Sequence, residues 1–342
     1  MNDAPSSDPA LGPLIQAASF SPDGRWLVTG SFEGTLALWD AANGRRLRVL
    51  LDPAGVEDVE QEAEPGAGGV EEEDESRPWR PSECIRRSSI VRVCVSADGR
   101  RLVAGAANGL AVLWNAVTWR EAGFWRPFES AVTALAISPD VRWVATGCRE
   151  PGTDTLRVWR LGASNDLPGV PTFSSDRMIS GVFALTFSPD SRFVASGGWG
   201  FSGYSAPMIY ELATGERVNT LLYDASRALD WSPDGARLAT GDEFGTVSVW
   251  DLATRQKVFE RKQAHGGIVS VVAFSPDGTR LISGSLDGSY AVFAADSGAP
   301  LDENRFAGSV LACRTVAEEG VVLVAEAAPG ADHPGIHRLM QG

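Results

Sequence analysis

The chain has 342 residues, 44% of them hydrophobic, and a formal net charge of −14. This length allows one large core or one array of repeats, and the negative charge argues against nucleic acid as the default partner. The longest apolar runs, such as residues 321–325, are far too short to span a membrane. The four cysteines are scattered without CxxC spacing, so we expect reduced thiols and a cytoplasmic protein.

Residues 1–13, MNDAPSSDPALGP, open the chain with three prolines and no alternating apolar pattern. Such a segment is a poor strand, and we predict a flexible N-terminus. It also lacks the basic and apolar regions that are typical of a secretory signal. Short alternating runs follow from residue 14 onward, and we predict one domain over residues 14–342.

A four-residue turn recurs six times along this domain. Ser-Pro-Asp-Gly suits a type I turn, because proline presets φ and the serine and aspartate side chains form local hydrogen bonds. Two copies end in Val141 and Ser191 instead of glycine, so we expect weaker turns there. The six copies begin at Ser21, Ser96, Ser138, Ser188, Ser232 and Ser275.

Each turn lies inside a unit of four predicted strands. One apolar run precedes the turn, a second run ends in glycine, a third carries an aromatic ring, and a fourth is more polar. From Ser96 to Ser275 the turns are about 42–50 residues apart, close to the period of propeller blades. A seventh unit, over about residues 310–340, lacks the turn string. The rings of the third strands are Trp39, Trp114, Trp159, Tyr210, Trp250 and Phe293.

An acidic segment separates the first two units. Residues 52–75 contain eleven acidic residues and no lysine or arginine, and the rest of the chain is close to neutral. Such a segment buries too little apolar area to offset the entropy lost on ordering. We therefore predict a disordered insertion over residues 53–83, between blades 1 and 2.

The repeated pattern SPDG…TG…GT.S.WD resembles the WD-repeat (WD40) family over about residues 14–340. The aromatic–aspartate pair is intact at Trp39-Asp40 and Trp250-Asp251. The resemblance implies an all-β, seven-bladed β-propeller whose blades have four antiparallel strands. The seventh unit ends with its third strand, so we predict an incomplete last blade with at most a short fourth strand from residues 1–13.

The resemblance also implies a structural tetrad in the sixth unit. Its members would be His265, Ser283, Asp287 and Phe293, with phenylalanine where tryptophan is usual. On this interpretation His265 is a structural residue of the repeat, with no catalytic role.

The sequence shows no convergent catalytic set. His333 and His337 have the spacing of a helical metal pair, but Pro334 and Gly335 lie between them in a strand-and-loop pattern. Neither a phosphate-binding loop nor a GxSxG nucleophile motif occurs in the sequence. We predict no catalytic residue, no metal and no cofactor.

The resemblance places two kinds of loop on one face of the ring, those between blades and those between the second and third strands. Residues 53–83, 148–155 and 198–207 belong to such loops. Exposed aromatic rings with nearby arginines are typical of binding hot spots. The predicted partner-binding residues are Phe32, Trp79, Phe128, Arg149, Trp199, Phe201, Tyr204, Arg227 and Phe244.

From these observations we predict a non-catalytic scaffold that binds proteins or peptides and is a monomer on its own. Two other functions stay open: a regulatory or sensor subunit of a bacterial signalling or defence assembly, and a propeller enzyme with its active site on the loop face. Fold alone does not choose among them.

Overall fold

Short β-strands make up the regular structure in a computed structural model of the chain. None of the described residues forms a helix long and apolar enough to cross a membrane. The predicted flexible N-terminus, residues 1–13, and the predicted acidic insertion, residues 53–83, lie outside the described residues. The structure describes residues 15–52, 88–150, 154–162, 170–175, 181–199, 207–220, 226–316, 321–328 and 333–340.

The described strands form seven antiparallel sheets, and in each sheet the strands pair in chain order. Sheets one to six have four strands and the seventh has three, which confirms the predicted blades. In chain order the strands are β1 (Ile15–Phe20), β2 (Trp26–Ser31), β3 (Leu36–Asp40), β4 (Arg46–Leu51); β5 (Ile90–Val95), β6 (Arg101–Ala106), β7 (Ala111–Asn115), β8 (Arg120–Trp125); β9 (Val132–Ile137), β10 (Trp143–Cys148), β11 (Leu156–Arg160), β12 (Phe173–Ser174); β13 (Gly181–Phe187), β14 (Phe193–Trp199), β15 (Met208–Glu211), β16 (Arg217–Thr220); β17 (Ala228–Trp231), β18 (Arg237–Gly241), β19 (Val247–Asp251), β20 (Gln256–Arg261); β21 (Val269–Phe274), β22 (Arg280–Ser285), β23 (Ser289–Ala294), β24 (Pro300–Arg305); and β25 (Ser309–Val316), β26 (Val321–Ala327), β27 (Gly335–Met340).

The first strand of every blade lines a central channel. Each first strand contacts the first strand of the next blade, from β1 through β25, and β25 contacts β1 again. The ring is therefore closed, and the seven-bladed β-propeller is confirmed.

The core lies between neighbouring blades rather than at one centre. Val28 and Leu36 of blade 1 pack with Ile90 and Leu102 of blade 2, and the other joints are built in the same way. At the joint that closes the ring, Trp39 of blade 1 belongs to the same buried cluster as Ala312 and Ala325 of blade 7. Burial of these apolar surfaces is the main force that holds the blades together.

Glycine at the end of the second strand permits this close packing. A Cβ atom on Gly30 would lie 2.3 Å from Ile90 Cγ2, and one on Gly241 would lie 2.3 Å from Val269 Cγ1. Both distances are far inside van der Waals contact, so only glycine lets the next blade approach this closely.

The repeated turns have the predicted local bonds. In blade 6 Ser275 Oγ donates to Asp277 Oδ1 at 2.5 Å and accepts from the Arg280 amide at 2.9 Å. The fourth turn residue has positive φ, 70° at Gly278 but also 59° at Val141 and 56° at Ser191. The two turns without glycine therefore form, although they place side chains in a backbone region that disfavours them.

Blade 7 has three strands among the described residues, as predicted from the sequence. β26 pairs with both β25 and β27, and within the described residues β27 pairs with β26 alone. The expected fourth strand from residues 1–13 lies outside the described residues.

Candidate partner-binding face

The loop face is the end of the ring that carries the loops between second and third strands and the connections between blades. Two predicted rings are strongly exposed there: Phe32 at 57% and Phe244 at 72%. They follow β2 in blade 1 and β18 in blade 5. Their exposure is as expected, and their role in partner binding stays a prediction.

The loop that carries Phe244 is fixed by hydrogen bonds. Asp242 Oδ1 accepts from the amides of Phe244 at 2.8 Å and Thr246 at 2.7 Å. Gly245 has φ +82°, and a Cβ atom there would lie 2.0 Å from the His265 carbonyl. The Phe244 side chain is thus exposed to solvent on a tight turn, and this turn packs against the next blade.

The loop that carries Phe32 is held in a similar way. Ser31 Oγ accepts from the Thr35 amide at 3.0 Å, and Ser89 Oγ donates to the Phe32 carbonyl at 2.6 Å. The second bond ties this loop to the chain that enters blade 2. A fixed loop loses little conformational entropy on binding, which favours a partner site.

Phe128 does not fit the expectation of an exposed ring. It is only 5% exposed and packs with Val132 and Cys148. The Arg157 guanidinium lies over its ring, 4.9 Å from the centroid. Phe128 therefore anchors its own loop and offers no free surface.

The structure brings Arg149 and Arg227 together around Phe183, a residue that the sequence analysis did not single out. Arg227 lies 4.1 Å and Arg149 6.0 Å from the Phe183 centroid, both close enough for a cation–π contact. Arg227 also forms an ion pair with Glu243 at 3.5 Å. This cluster lies where the loop face meets the central channel.

A cavity of about 340 Å³ occupies the loop-face end of the channel, and its walls come from all seven first strands. Arg92 and Arg227 line it from blades 2 and 5, among apolar neighbours such as Leu135 and Leu229. Burial, and then the nearby Arg227 charge, lower the pKa of Arg92 to about 10, so the guanidinium remains protonated at neutral pH. Arg92 was not among the residues predicted from the sequence. The available signal was a single arginine in the apolar strand IVRVCV.

Four further residues were predicted to bind a partner, Trp79, Trp199, Phe201 and Tyr204. Trp199 is the last residue of β14, and its role in partner binding stays a prediction. Trp79, Phe201 and Tyr204 lie outside the described residues, so their place on the loop face stays a prediction.

The tetrad residues of blade 6 form a hydrogen-bonded chain at its loop-face edge. His265 is 3% exposed, with Nε2 2.7 Å from Ser283 Oγ and Nδ1 2.6 Å from Ser289 Oγ. Ser289 in turn donates to Asp287 at 2.6 Å. Burial lowers the pKa of His265 against the opposing Asp287 charge, which favours the neutral ring of a structural residue.

Phe293, the fourth member of the predicted tetrad, forms no side-chain hydrogen bond, because its aromatic ring has no donor. In blades 1 and 3 the corresponding tryptophans do donate, Trp39 to Thr29 at 2.8 Å and Trp159 to Thr146 at 2.9 Å. Ser289, absent from the predicted tetrad, takes a place in the chain between His265 and Asp287.

Asp230 and Arg314 face the opposite, turn-side part of the channel. Asp230 Oδ2 accepts from the Phe274 amide at 2.7 Å, and Arg314 Nε donates to the Pro22 carbonyl at 3.2 Å. Burial raises the pKa of Asp230 to about 7, against the backbone hydrogen bonds of Phe274 and Trp231 and the attraction of Arg314.

His333 and His337 were noted above for the spacing of a metal pair. Among the residues that the structure describes, no three His, Cys, Asp or Glu side chains come together as metal ligands. His337 Nε2 lies 3.1 Å from Glu326 Oε1, and the ring stacks on Phe306 with centroids 4.0 Å apart. Packing and one hydrogen-bond contact with Glu326 thus account for the position of His337.

A closed ring of repeated blades, with SPDG turns and Trp–Thr hydrogen bonds, defines this chain as a repeat propeller. The family model described as "WD domain, G-beta repeat" matches residues 11–40, 124–160, 173–202, 217–251 and 255–293, half of the chain in total. The chain belongs to the WD-repeat family.

Its curated relatives are distant. Protein HIR1 of Candida albicans is 21% identical over 85% of this chain, and protein hir1 of Schizosaccharomyces pombe is 22% identical over 81%. The match covers 33% and 29% of those proteins, so this chain spans about a third of their length. Eukaryotic translation initiation factor 3 subunit I of Drosophila pseudoobscura pseudoobscura is 20% identical over 61% of this chain and 64% of its own length.

Proposed function

We propose that the protein is a non-catalytic scaffold that binds proteins or peptides on its loop face. The observation that carries this proposal is the pair of exposed rings, Phe32 and Phe244, on loops fixed by hydrogen bonds. Aromatic side chains presented by rigid backbone supply large contact area at low entropic cost.

The relatives support a role in assemblies. One of them is by its name a subunit of a larger factor. The rigid ring can hold many loops on one face, which suits the assembly of several components. A cytoplasmic location and a monomeric free protein belong to the same proposal.

The test compares partner capture by the tagged wild-type protein and by a Phe32→Ala, Phe244→Ala double variant. We expect a stoichiometric protein partner to be lost, because truncating hot-spot rings costs about 2–4 kcal/mol each. The melting temperature should barely change, since both rings are mostly exposed. Val117→Ala is the matched control, because Val117 is 66% exposed but lies in a turn on the opposite face.

Undiminished capture by the double variant would place the partner site elsewhere. Turnover of a small-molecule panel, combined with no captured partner, would instead favour the propeller-enzyme alternative.

A further inference from the structure

We propose that the loop-face mouth of the central channel binds a single anionic group, a carboxylate or a phosphate, carried on an extended segment of a protein partner. This inference rests on the proposed scaffold function and names the chemistry that one part of the loop face recognises. It depends on Arg92 and Arg227, which line one cavity from opposite parts of the ring.

The two guanidinium groups have more donors than the described residues satisfy. Arg92 Nη1 donates to the Val91 carbonyl at 2.8 Å, and no described carboxylate forms an ion pair with it. Arg227 pairs with Glu243 at 3.5 Å, but its buried Nε has no hydrogen-bond partner among the described residues. Glu243 is therefore the one described carboxylate that forms an ion pair with either Arg92 or Arg227, so these two guanidinium groups together keep a net positive charge.

An oxyanion is the ligand that this arrangement fits. A guanidinium presents N–H groups in a planar fork that matches carboxylate and phosphate oxygens. The apolar walls around Arg92 strengthen such a contact, because the local dielectric constant is low. An anion would also relieve the repulsion between the two arginines, whose effect on the Arg92 pKa is described above.

The size of the cavity limits what kind of molecule can carry the anion. A volume of about 340 Å³ admits one side chain or a short length of chain, not a folded domain. Exposed Phe32 and Phe244 lie farther out on the same face, where the flanking residues of an extended segment could pack.

The charged residues on the loop face around the mouth determine which anions are preferred. The loops between second and third strands place Glu33, Asp242 and Asp287 on this face in addition to Glu243. These carboxylates repel a polyanion, and the chain as a whole carries a charge of −14. We therefore expect one anion flanked by neutral or basic residues, in preference to a nucleic acid or a run of acidic residues.

The first measurement is the melting temperature of the full chain as phosphate replaces chloride at constant ionic strength, so that screening stays the same. We expect a saturable rise of about 2–5 °C, because a ligand that binds the folded state alone stabilises it. Arg92→Gln and Arg227→Gln should abolish the rise. Arg126→Gln is the matched control, since Arg126 lies on the same face and also donates to a backbone carbonyl, that of Asn108, at 3.0 Å.

Equilibrium dialysis of the wild-type protein against labelled phosphate gives an answer even if a variant fails to fold. No saturable binding to the wild-type protein would overturn the proposal. So would a phosphate-dependent rise that both arginine variants retain.

A second measurement separates the sources of the anion. Three labelled peptides of otherwise neutral sequence carry one central phosphoserine, glutamate or serine, and a single-stranded oligonucleotide serves as the competing class. We expect one of the anionic peptides to bind at least about ten times more tightly than the serine peptide, with this preference lost in Arg92→Gln. Equal binding of all three peptides, or tighter binding of the oligonucleotide, would overturn the assignment to a protein segment. Failure here, with partner capture still dependent on Phe32 and Phe244, would leave the scaffold function standing.

Discussion

At the scale of single residues, Asp230 is the side chain whose ionisation depends most clearly on the fold. It faces the turn-side part of the channel, accepts one hydrogen bond from the Phe274 amide, and has its pKa raised to about 7 by burial. The folded protein therefore binds a proton that the unfolded chain releases near pH 4. Through this group, folding stability falls as the pH rises from about 4 to 7.

Asp230→Asn is expected to remove this pH-dependent loss of folding stability. The side-chain oxygen of asparagine can still accept the hydrogen bond from the Phe274 backbone N–H, but it carries no charge. Above pH 7 the variant should be more stable than the wild type by about 1–3 kcal/mol. The difference should shrink on acidification and vanish below about pH 4. Thermal unfolding from pH 4 to 8 measures it, with the exposed Asp296→Asn as control. A stability difference that does not depend on pH would show that ionisation of Asp230 does not destabilise the folded protein.

His265→Ala tests the hydrogen-bonded chain of blade 6. The change leaves the fully buried Ser283 hydroxyl without the imidazole that it contacts at 2.7 Å. Loss of such a bond in the interior costs about 1–3 kcal/mol. Denaturant unfolding should show a lower midpoint for this variant, whereas His333→Ala, at an exposed position, should match the wild type. If both variants have the same unfolding midpoint as the wild type, the tetrad does not stabilise the blade.

At the scale of single elements, the repeated turn offers a natural comparison. Four copies have glycine at the fourth position with φ between 67° and 72°, at Gly24, Gly99, Gly235 and Gly278. Val141 occupies the same position with φ 59°. A β-branched residue is strained in this region of the backbone.

Val141→Gly should therefore stabilise the protein by about 1 kcal/mol, as relief of left-handed strain does elsewhere. The converse change, Gly235→Val, should destabilise it by a similar amount. The nearest atom to a Cβ on Gly235 is Pro189 Cδ at 3.9 Å, so backbone strain and not crowding is measured. Equilibrium unfolding in urea gives both values, and a destabilised Val141→Gly variant would contradict the account.

The turns and strands could be predicted from sequence because their causes are local. Ser275, Asp277 and the Arg280 amide bond within six residues of one another, so the string itself carries the geometry. Strand alternation is local in the same sense. The count of blades followed from repetition of the unit.

The parts of the site that were missed have non-local causes. The register of β5 shifts between Ile90 and Arg92, and a shift of one residue changes which side chains face the channel. Phe128 is buried by Val132 and Cys148, the latter in another strand, whereas Phe244 has no such cover and stays exposed. The burial of Phe128 thus depends on Cys148 of β10, which is far from it in the sequence.

At the scale of the whole molecule, blade 7 is the distinctive part of the ring. Buried contacts between Trp39, Ala312 and Ala325 join it to blade 1. Its outer strand β27 pairs with β26 alone among the described residues. Such an edge presents backbone groups that another extended segment can pair with.

Hydrogen exchange of the isolated protein measures this edge. Amides of residues 335–340 that do not bond to β26 should exchange roughly ten to a hundred times faster than those of β22, which has a partner on both sides. Addition of a partner that docks on the edge should slow them. Protection equal to that of residues 268–284 would show that a fourth strand already covers β27.

The glycine joints have a consequence for how such a chain can evolve. At five of the joints the same kind of contact recurs, a glycine of one blade against a valine or isoleucine of the next, so a copied unit would meet either neighbour with a surface that already fits. Tandem duplication or exchange of whole units within a gene can therefore change the sequence of the loops without redesigning the joint. The joint between blades 4 and 5 is different, because Gly197 contacts Ser226. A unit moved to or from that place would fit only if the adjoining blade were moved with it. The five interchangeable joints are Gly30–Ile90, Gly105–Val132, Gly147–Val182, Gly241–Val269 and Gly284–Val310.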